Sequence, residues 1–189
     1  MPLDALEAIR TRRMIPKVGD ERPPREQIED LLDAAVRAPN HHLTEPWRFY
    51  VLAGSERDRL ARAIAEEAIA RGVEREAAEA DAAKKVSRAP VIVVFTCVPS
   101  DNPEVVEQEE LASVAMAVEN FLLAAHARGI GAMLRTGPAA YDPSIREHLQ
   151  LEGGERVVGF VYVGYPAGDR SLTPRAPAAD RTTWLGWDD

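Results

Sequence analysis

From Arg25 onward, Ile28, Leu31, Leu32 and Ala35 recur at i, i+3, i+4 and i+7. That period predicts an amphipathic helix with one buried face. Pro39 ends it, because the residue before a proline is pushed out of the helical region. Asp4 to Arg12 reads as a shorter helix, with Leu6 and Ile9 inward and Ala5 and Ala8 beside them. Between the two, Pro16, Gly19, Pro23 and Pro24 make Met14 to Pro24 a loop. Asn40 to Pro46 is a second polar loop, and Arg48 to Leu52, opened by Trp47, is strand-like.

Ser55 to Arg88 is rich in Ala, Glu and Arg; residues 56–88 hold eight acids and eight bases. Balanced charge and high alanine predict helix broken near Gly72, a solvated flap with a thin apolar face. Ala89 to Val98 is a continuous β-branched run, as expected of a strand buried on both faces. Asp101 to Glu110 holds five acids and no base, which suits a solvated helix start at the positive end of the dipole. Leu111 to Ala125 is then apolar almost all round, so this helix has no solvent face and lies at the middle of something. In a chain this small, a subunit interface is the candidate. Gly129 and Gly131 stop the helix.

Ala132 to Leu134 begins another strand. Asp142 to Leu149 is a short helix capped by Asp142 with Pro143 in its first turn, and Arg156 to Gly164 is a last apolar strand. Tyr165 to Asp189 carries Pro166, Pro174, Pro177, Trp184 and Trp187, which reads as an arm lying along another surface. The pattern predicts one domain over 1–189, α/β or α+β in class, built on a single sheet.

Composition narrows the function. At 189 residues the chain is ample for one core but too short for separate cofactor and substrate domains. A net charge of −8 argues against nucleic acid as the main partner. The longest apolar runs fall far short of the roughly twenty residues of a membrane helix, and no secretory signal is visible in Met1 to Arg10. Cys97 alone forms no intramolecular disulfide, so a reducing, cytoplasmic compartment is expected. No Cys or His pair recurs at zinc spacing, and no metal site is expected.

Several motifs fail on inspection. Gly129-Ile-Gly131-Ala-Met-Leu134 has two glycines of a dinucleotide fingerprint, but Leu134 replaces the third and the segment enters a strand instead of a helix. There is no Walker loop and no Gly-x-Ser-x-Gly elbow. His41 and His42 point in different directions and make a poor metal pair, and Glu45 is the carboxylate that could serve them. His126 and His148 read as structural. More informative are arginines at element ends: Arg12-Arg13, Arg37, and Arg135-Thr136-Gly137. Arginine there can fork onto a phosphate or an anionic ring oxygen.

In order, Ala8-Ile-Arg-Thr-Arg-Arg-Met14, Leu31-Leu-Asp-Ala-Ala-Val-Arg-Ala-Pro39 and Glu45-Pro-Trp-Arg-Phe49 resemble the N-terminal signature of the FMN-dependent nitroreductase family. That pattern runs Arg-Arg-Ser, then Leu-Leu-x-Ala-Ala-x-x-Ala-Pro-Ser, then Asn-x-Gln-Pro-Trp. The apolar helix ending in Gly129-Ile-Gly131, Arg135-Thr-Gly137 and Val157-Val-Gly-Phe-Val-Tyr-Val-Gly164 continue the likeness, which runs from Leu6 to Gly164. It is nearest to the small-subunit branch of NAD(P)H nitroreductases.

The resemblance implies an α+β fold with an α/β-type mixed sheet flanked by helices, and a homodimer with FMN sites at the interface, the apolar helix in the dimer core and the arm, 165–189, packing on the partner subunit. By residue matching it implies that Arg12, Arg13 and Met14 contact the FMN phosphate and ribityl chain. Arg37 and His41 reach the flavin from one subunit or the other, and Arg135, Thr136 and Gly137 line it. Arg175 or Arg181 in the arm meets the phosphate. The implied chemistry passes hydride from NADH or NADPH through FMN to a small electron-poor acceptor, a nitroaromatic or quinone, in a ping-pong cycle without a catalytic side chain.

Met14 departs from the family serine, Leu43 from its asparagine and Glu45 from its glutamine. A carboxylate near reduced, anionic flavin disfavours reduction unless Glu45 faces elsewhere or pairs with Arg48. These departures keep two alternatives open. One is a non-turnover FMN storage or sensor protein. The other is an enzyme of the same fold with another flavin reaction, such as dehalogenation or flavin breakdown.

Overall fold

The computed structural model describes residues 4–168 and 171–187. Helix α1 spans Ala5–Thr11, where Asp4 accepts from the Leu6 and Glu7 amides and closes the first turn. The predicted amphipathic helix is α2, Arg25–Ala35, with Ile28, Leu31 and Ala35 buried. Strand β1 runs Trp47–Ala53, and two helices follow, α3 (Ser55–Ala70) and α4 (Arg75–Val86). Then come β2 (Val91–Cys97), α5 (Glu107–Ala127), β3 (Gly131–Arg135), α6 (Pro143–His148) and β4 (Arg156–Gly164). The Asp142 cap is present: its carboxylate accepts from the Ser144 amide at 2.8 Å.

The sheet order is β1-β2-β4-β3, and every neighbouring pair is antiparallel, so the sheet is not mixed as expected. The connections explain this. Two helices, α3 and α4, carry the chain away and back, so β2 starts at the end of the sheet where β1 finished and runs against it. The single helix α5 sets β3 in the same direction as β2, but β4 inserts between them and opposes both.

Helices cover both faces. Val91, Val93, Phe95, Val161 and Val163 face α2 and α5, while Ile92, Val94, Phe160 and Tyr162 face α3, α4 and α6. This accounts for the unbroken apolar run of β2, all seven of whose residues are buried. It also corrects the flap expectation for 55–88. Leu60, Ile64, Ala78, Ala82 and Val86 are buried against the sheet, so α3 and α4 form one of its two covering layers.

Across the other face, Phe49, Phe95 and Phe121 stack edge to face, with centroids 5.0 and 5.4 Å apart, tying β1 and β2 to the middle of α5. The acidic start of α5 is not wholly solvated. Glu110 turns inward, and both its carboxylate oxygens accept from the Ser100 amide. Opposite the Phe95/Thr96 register shift, β4 carries Gly159, where a Cβ would come within 2.6 Å of Leu134 Cδ1. Glycine is what lets β3 and β4 close there.

Candidate functional site

Helix α1 does not bury Leu6 and Ile9 as its pattern predicts. They are 62% and 59% exposed, and Ala8 alone of that helix is buried. The apolar period is real, but no described residue buries that side. The same holds for α5: Val114, Ala117, Val118, Phe121 and Leu122 face the sheet, while Ala112, Ala115 and Met116 are exposed and Leu123 half-buried. Leu6, Ile9, Met116 and Leu123 thus belong to an apolar surface that runs along the outer side of α5, the kind of patch that marks an association site.

Cationic groups border this surface. Where α1 ends, Arg10, Arg12, Arg13 and Met14 line a cavity of about 550 Å³ closed from the other side by Leu172, Thr173, Pro174 and Arg175 of the arm. Among the described residues, four of the nine that line it are arginines and none is acidic. Arg12 donates through Nε to Glu119 on α5 at 2.9 Å. Arg13 donates through one terminal nitrogen to the Thr11 carbonyl, at 3.1 Å, but its Nε is buried without a partner among the described residues. A buried donor of this kind costs free energy until an acceptor arrives, and a small anion such as a phosphate fits the need. His126, 2.8 Å from Thr11 Oγ1, adds little positive charge. Burial, then Arg13 and Arg12, hold its imidazole below the usual range.

Ile9, which also lines the arginine cavity, borders a second hollow with Arg37, Asn120, Leu123 and Ala127. Further along α5, His41 lies with Asn40, Glu109, Ser113 and Met116 in a cavity of about 380 Å³. His41 Nδ1 is 2.8 Å from Glu109 Oε2. Its carboxylate is therefore Glu109, not the expected Glu45. Glu45 is exposed, and only its backbone carbonyl accepts from Arg48, at 3.2 Å. The loop is held tightly all the same. His42, Leu43 and Glu45 have φ of 52°, 54° and 44°, and Asn40 Oδ1 accepts from the Glu45 amide at 2.9 Å. Non-glycine residues in that region cluster at functional sites.

Arg135 is not brought to this surface. Alternation along β3 sends Ala132 and Leu134 toward α5 and Arg135 the other way, where its guanidinium lies 5.7 Å from the Tyr162 ring centroid. Thr136 and Gly137 follow at the strand end, Gly137 at φ 133°, so backbone, not the Arg135 side chain, is what this segment can offer. Between the two arm arginines, Arg175 lines the cavity with Arg12 and Arg13, and Arg181 is not among its lining residues. Trp184 and Trp187 are exposed, their rings 5.0 Å apart. Sequence reasoning missed Glu109, Glu119 and Asn40, whose partners lie far along the chain or depend on loop geometry. Among the described residues no cluster of acids, histidines and cysteine could hold a metal ion, and no helix is long and apolar enough to cross a membrane.

Comparison with known proteins agrees with the resemblance. YdjA of Escherichia coli strain K12, which bears the name of an NAD(P)H nitroreductase, is 32% identical over 93% of this chain and 95% of its own. A nitroreductase-like family protein from Bacillus cereus superposes with a TM-score of 0.86 at 24% identity, covering 98% of each chain. A nitroreductase from Desulfovibrio desulfuricans, solved in complex with FMN, gives a TM-score of 0.76 at 25% identity over 99% of each chain. The profile of the Nitroreductase family matches residues 9–165, and with an α+β fold to match, this chain belongs to the nitroreductase family.

Proposed function

We propose that this protein is an FMN-dependent oxidoreductase. It takes hydride from NADH or NADPH and delivers it to a small electron-poor acceptor, a nitroaromatic or quinone, in a ping-pong cycle. The observation that carries this reading is the arginine cavity, acid-free among the described residues, with an Arg13 Nε that finds no partner among them, opening beside an apolar helix face that no described residue covers. When bound, FMN supplies the hydride chemistry that no amino-acid side chain can.

The chain's own residues supply position and charge. Arg13 gives its unused Nε–H to the phosphate, with Arg12 and Arg175 as neighbouring cations, and Met14 offers an apolar wall beside them. Arg37 and His41 serve the flavin from the α5 face. The Arg135–Gly137 segment serves it through backbone at the strand end. Positive charge gathered at one place also stabilises negative charge that develops on reduction.

A second copy of the chain completes the site by covering Leu6, Ile9, Met116 and Leu123, which excludes water from it. On this reading the 189 residues form one domain whose arm, 165–189, reaches the partner. A cytoplasmic location suits the single, buried Cys97.

The test is flavin content. Purified wild type is yellow and oxidises NADH or NADPH steadily in the presence of menadione or a nitroaromatic. The Arg12→Ala/Arg13→Ala double variant loses most of its flavin, and a double variant with full flavin content overturns the assignment. A wild type that binds FMN but is inert to both nicotinamides marks a storage or sensor protein instead.

A further inference from the structure

We infer that Glu109 is a positioning residue for His41, fixing which ring nitrogen carries the proton and which one faces the site; this rests on the flavin reading above. His41 Nδ1 lies 2.8 Å from Glu109 Oε2. A carboxylate accepts but does not donate, so Nδ1 carries the hydrogen in the neutral ring and Nε2 is left as an acceptor. When the ring is protonated, Nε2 becomes a donor. One defined atom can therefore take a proton from, or give one to, a group bound on the α5 face.

Both partners are constrained. Glu109 stands in the first turn of α5, and its backbone carbonyl accepts from Ser113 Oγ at 2.8 Å. His41 stands on the loop whose positive φ values at His42, Leu43 and Glu45 are maintained by the Asn40 clasp, and the Thr44 amide donates back to its carbonyl at 3.3 Å. Strain of this kind persists only where surrounding contacts over-determine it. The half-exposed His41–Glu109 pair is a polar contact between this loop and α5.

The charged surroundings are simple. His41 and Glu109 are the only titratable side chains lining their cavity among the described residues. His42 stacks on His41 edge to face at 4.3 Å from the same loop. The other acids of that turn face elsewhere, Glu107 to Arg156 and Glu110 to the Ser100 amide. No competing acid shares His41, so removing Glu109 removes its one carboxylate partner in the cavity.

The experiment uses the full chain, free of FMN and loaded with it. Long-range ¹H–¹⁵N correlation spectra assign the neutral tautomer of His41, identified among the four histidines by single substitutions. Wild type shows hydrogen on Nδ1. Glu109→Ala shifts the ring toward the Nε2–H form and raises the Kd for FMN about tenfold, the lower end of what orienting partners of functional histidines cost when lost. Glu109→Gln keeps a carbonyl acceptor, so it retains the tautomer and an affinity within about twofold of wild type. In a His41→Gln background, Glu109→Ala adds nothing further to the Kd, as required if it acts through His41.

An unchanged tautomer in Glu109→Ala overturns the inference. So does a changed tautomer with unchanged FMN affinity, or an effect that persists without His41. A wild type that takes no FMN overturns the flavin role of both residues, while the tautomer in the FMN-free protein still decides whether Glu109 holds His41.

Discussion

Arg12 and Arg13 are adjacent and chemically identical, yet the structure predicts opposite consequences for their loss. Arg12 has already spent its Nε–H on Glu119 across a half-exposed pair, worth under about 1 kcal/mol of stability at such a site. Among the described residues Arg13 makes one bond, to the Thr11 carbonyl, and buries its Nε without a partner. In the FMN-free protein, Arg13→Ala loses a hydrogen bond worth about 0.5–1.5 kcal/mol and relieves an unsatisfied donor costing about 1–3 kcal/mol. The two offset one another, so urea unfolding of the FMN-free variant falls within about 1 kcal/mol of wild type.

At the proposed phosphate site binding is different, because a phosphate oxygen would give the orphan its acceptor. A charge-assisted bond contributes about 1.5–3 kcal/mol, which at 1.4 kcal/mol per decade is roughly a 10- to 150-fold rise in Kd. Arg12→Ala, whose guanidinium is shared with Glu119, raises the Kd by less and lowers stability by more. Flavin fluorescence titrations at low and high salt, beside melts of the FMN-free proteins, read both quantities. Should Arg13→Ala bind FMN within twofold of wild type, or lose more stability than Arg12→Ala, the orphaned Nε is not a phosphate ligand.

Two further outcomes follow from the core. Phe121→Ala empties a fully buried position and breaks the stack on Phe95, costing about 3–5 kcal/mol in denaturant unfolding; a loss below about 1 kcal/mol contradicts the packing of α5 on the sheet. Burial, with Glu110 and Glu107 next in weight, pushes the Cys97 thiol up to about 11 from 9.0. The folded state thus resists its ionisation: stability is full below pH 9 and falls by up to about 3 kcal/mol as pH climbs toward 11. At pH 8 only roughly one thiol in a thousand is ionised, so native protein is inert to a thiol reagent that labels the unfolded chain at once.

What the sequence could tell about the fold was whatever local chemistry determines. The i, i+3, i+4 spacing of Ile28, Leu31 and Leu32, the Asp142–Pro143 start of α6 and the apolar run of β2 each fix a helix, a cap or a buried strand without reference to distant residues. Sheet direction was not legible, because it depends on how many helices separate two strands and on β4 inserting between β2 and β3. Covering was not legible either. Leu6 and Ile9 fall on one side of α1 by period, but periodicity says which residues share a face, not whether the same chain supplies the cover. Part of the site was readable: Arg12, Arg13 and Arg37 were identified at element ends. The orientation of Arg135 could have been read from strand alternation with Leu134. The Glu109 partner of His41 lies 68 residues away in the chain, beyond any local signal.

Placement of these groups along α5 bears on how the proposed dimer would complete the site. Glu109, which holds His41, and Glu119, which holds Arg12, are ten residues apart on one helix, about 15 Å along its axis at 1.5 Å per residue. Within one chain the histidine and the phosphate cavity therefore sit toward different parts of the same apolar face. An isologous contact sets the same patch of two subunits against each other, and a two-fold axis crossing α5 between those positions exchanges its ends. It carries the histidine end of one copy toward the arginine end of the other while burying Met116 and Leu123 between them. On the proposed dimer the apolar surface and the separation of the histidine from the arginines have one explanation: the face that would exclude water is also the face across which two incomplete sets of ligands would become complete.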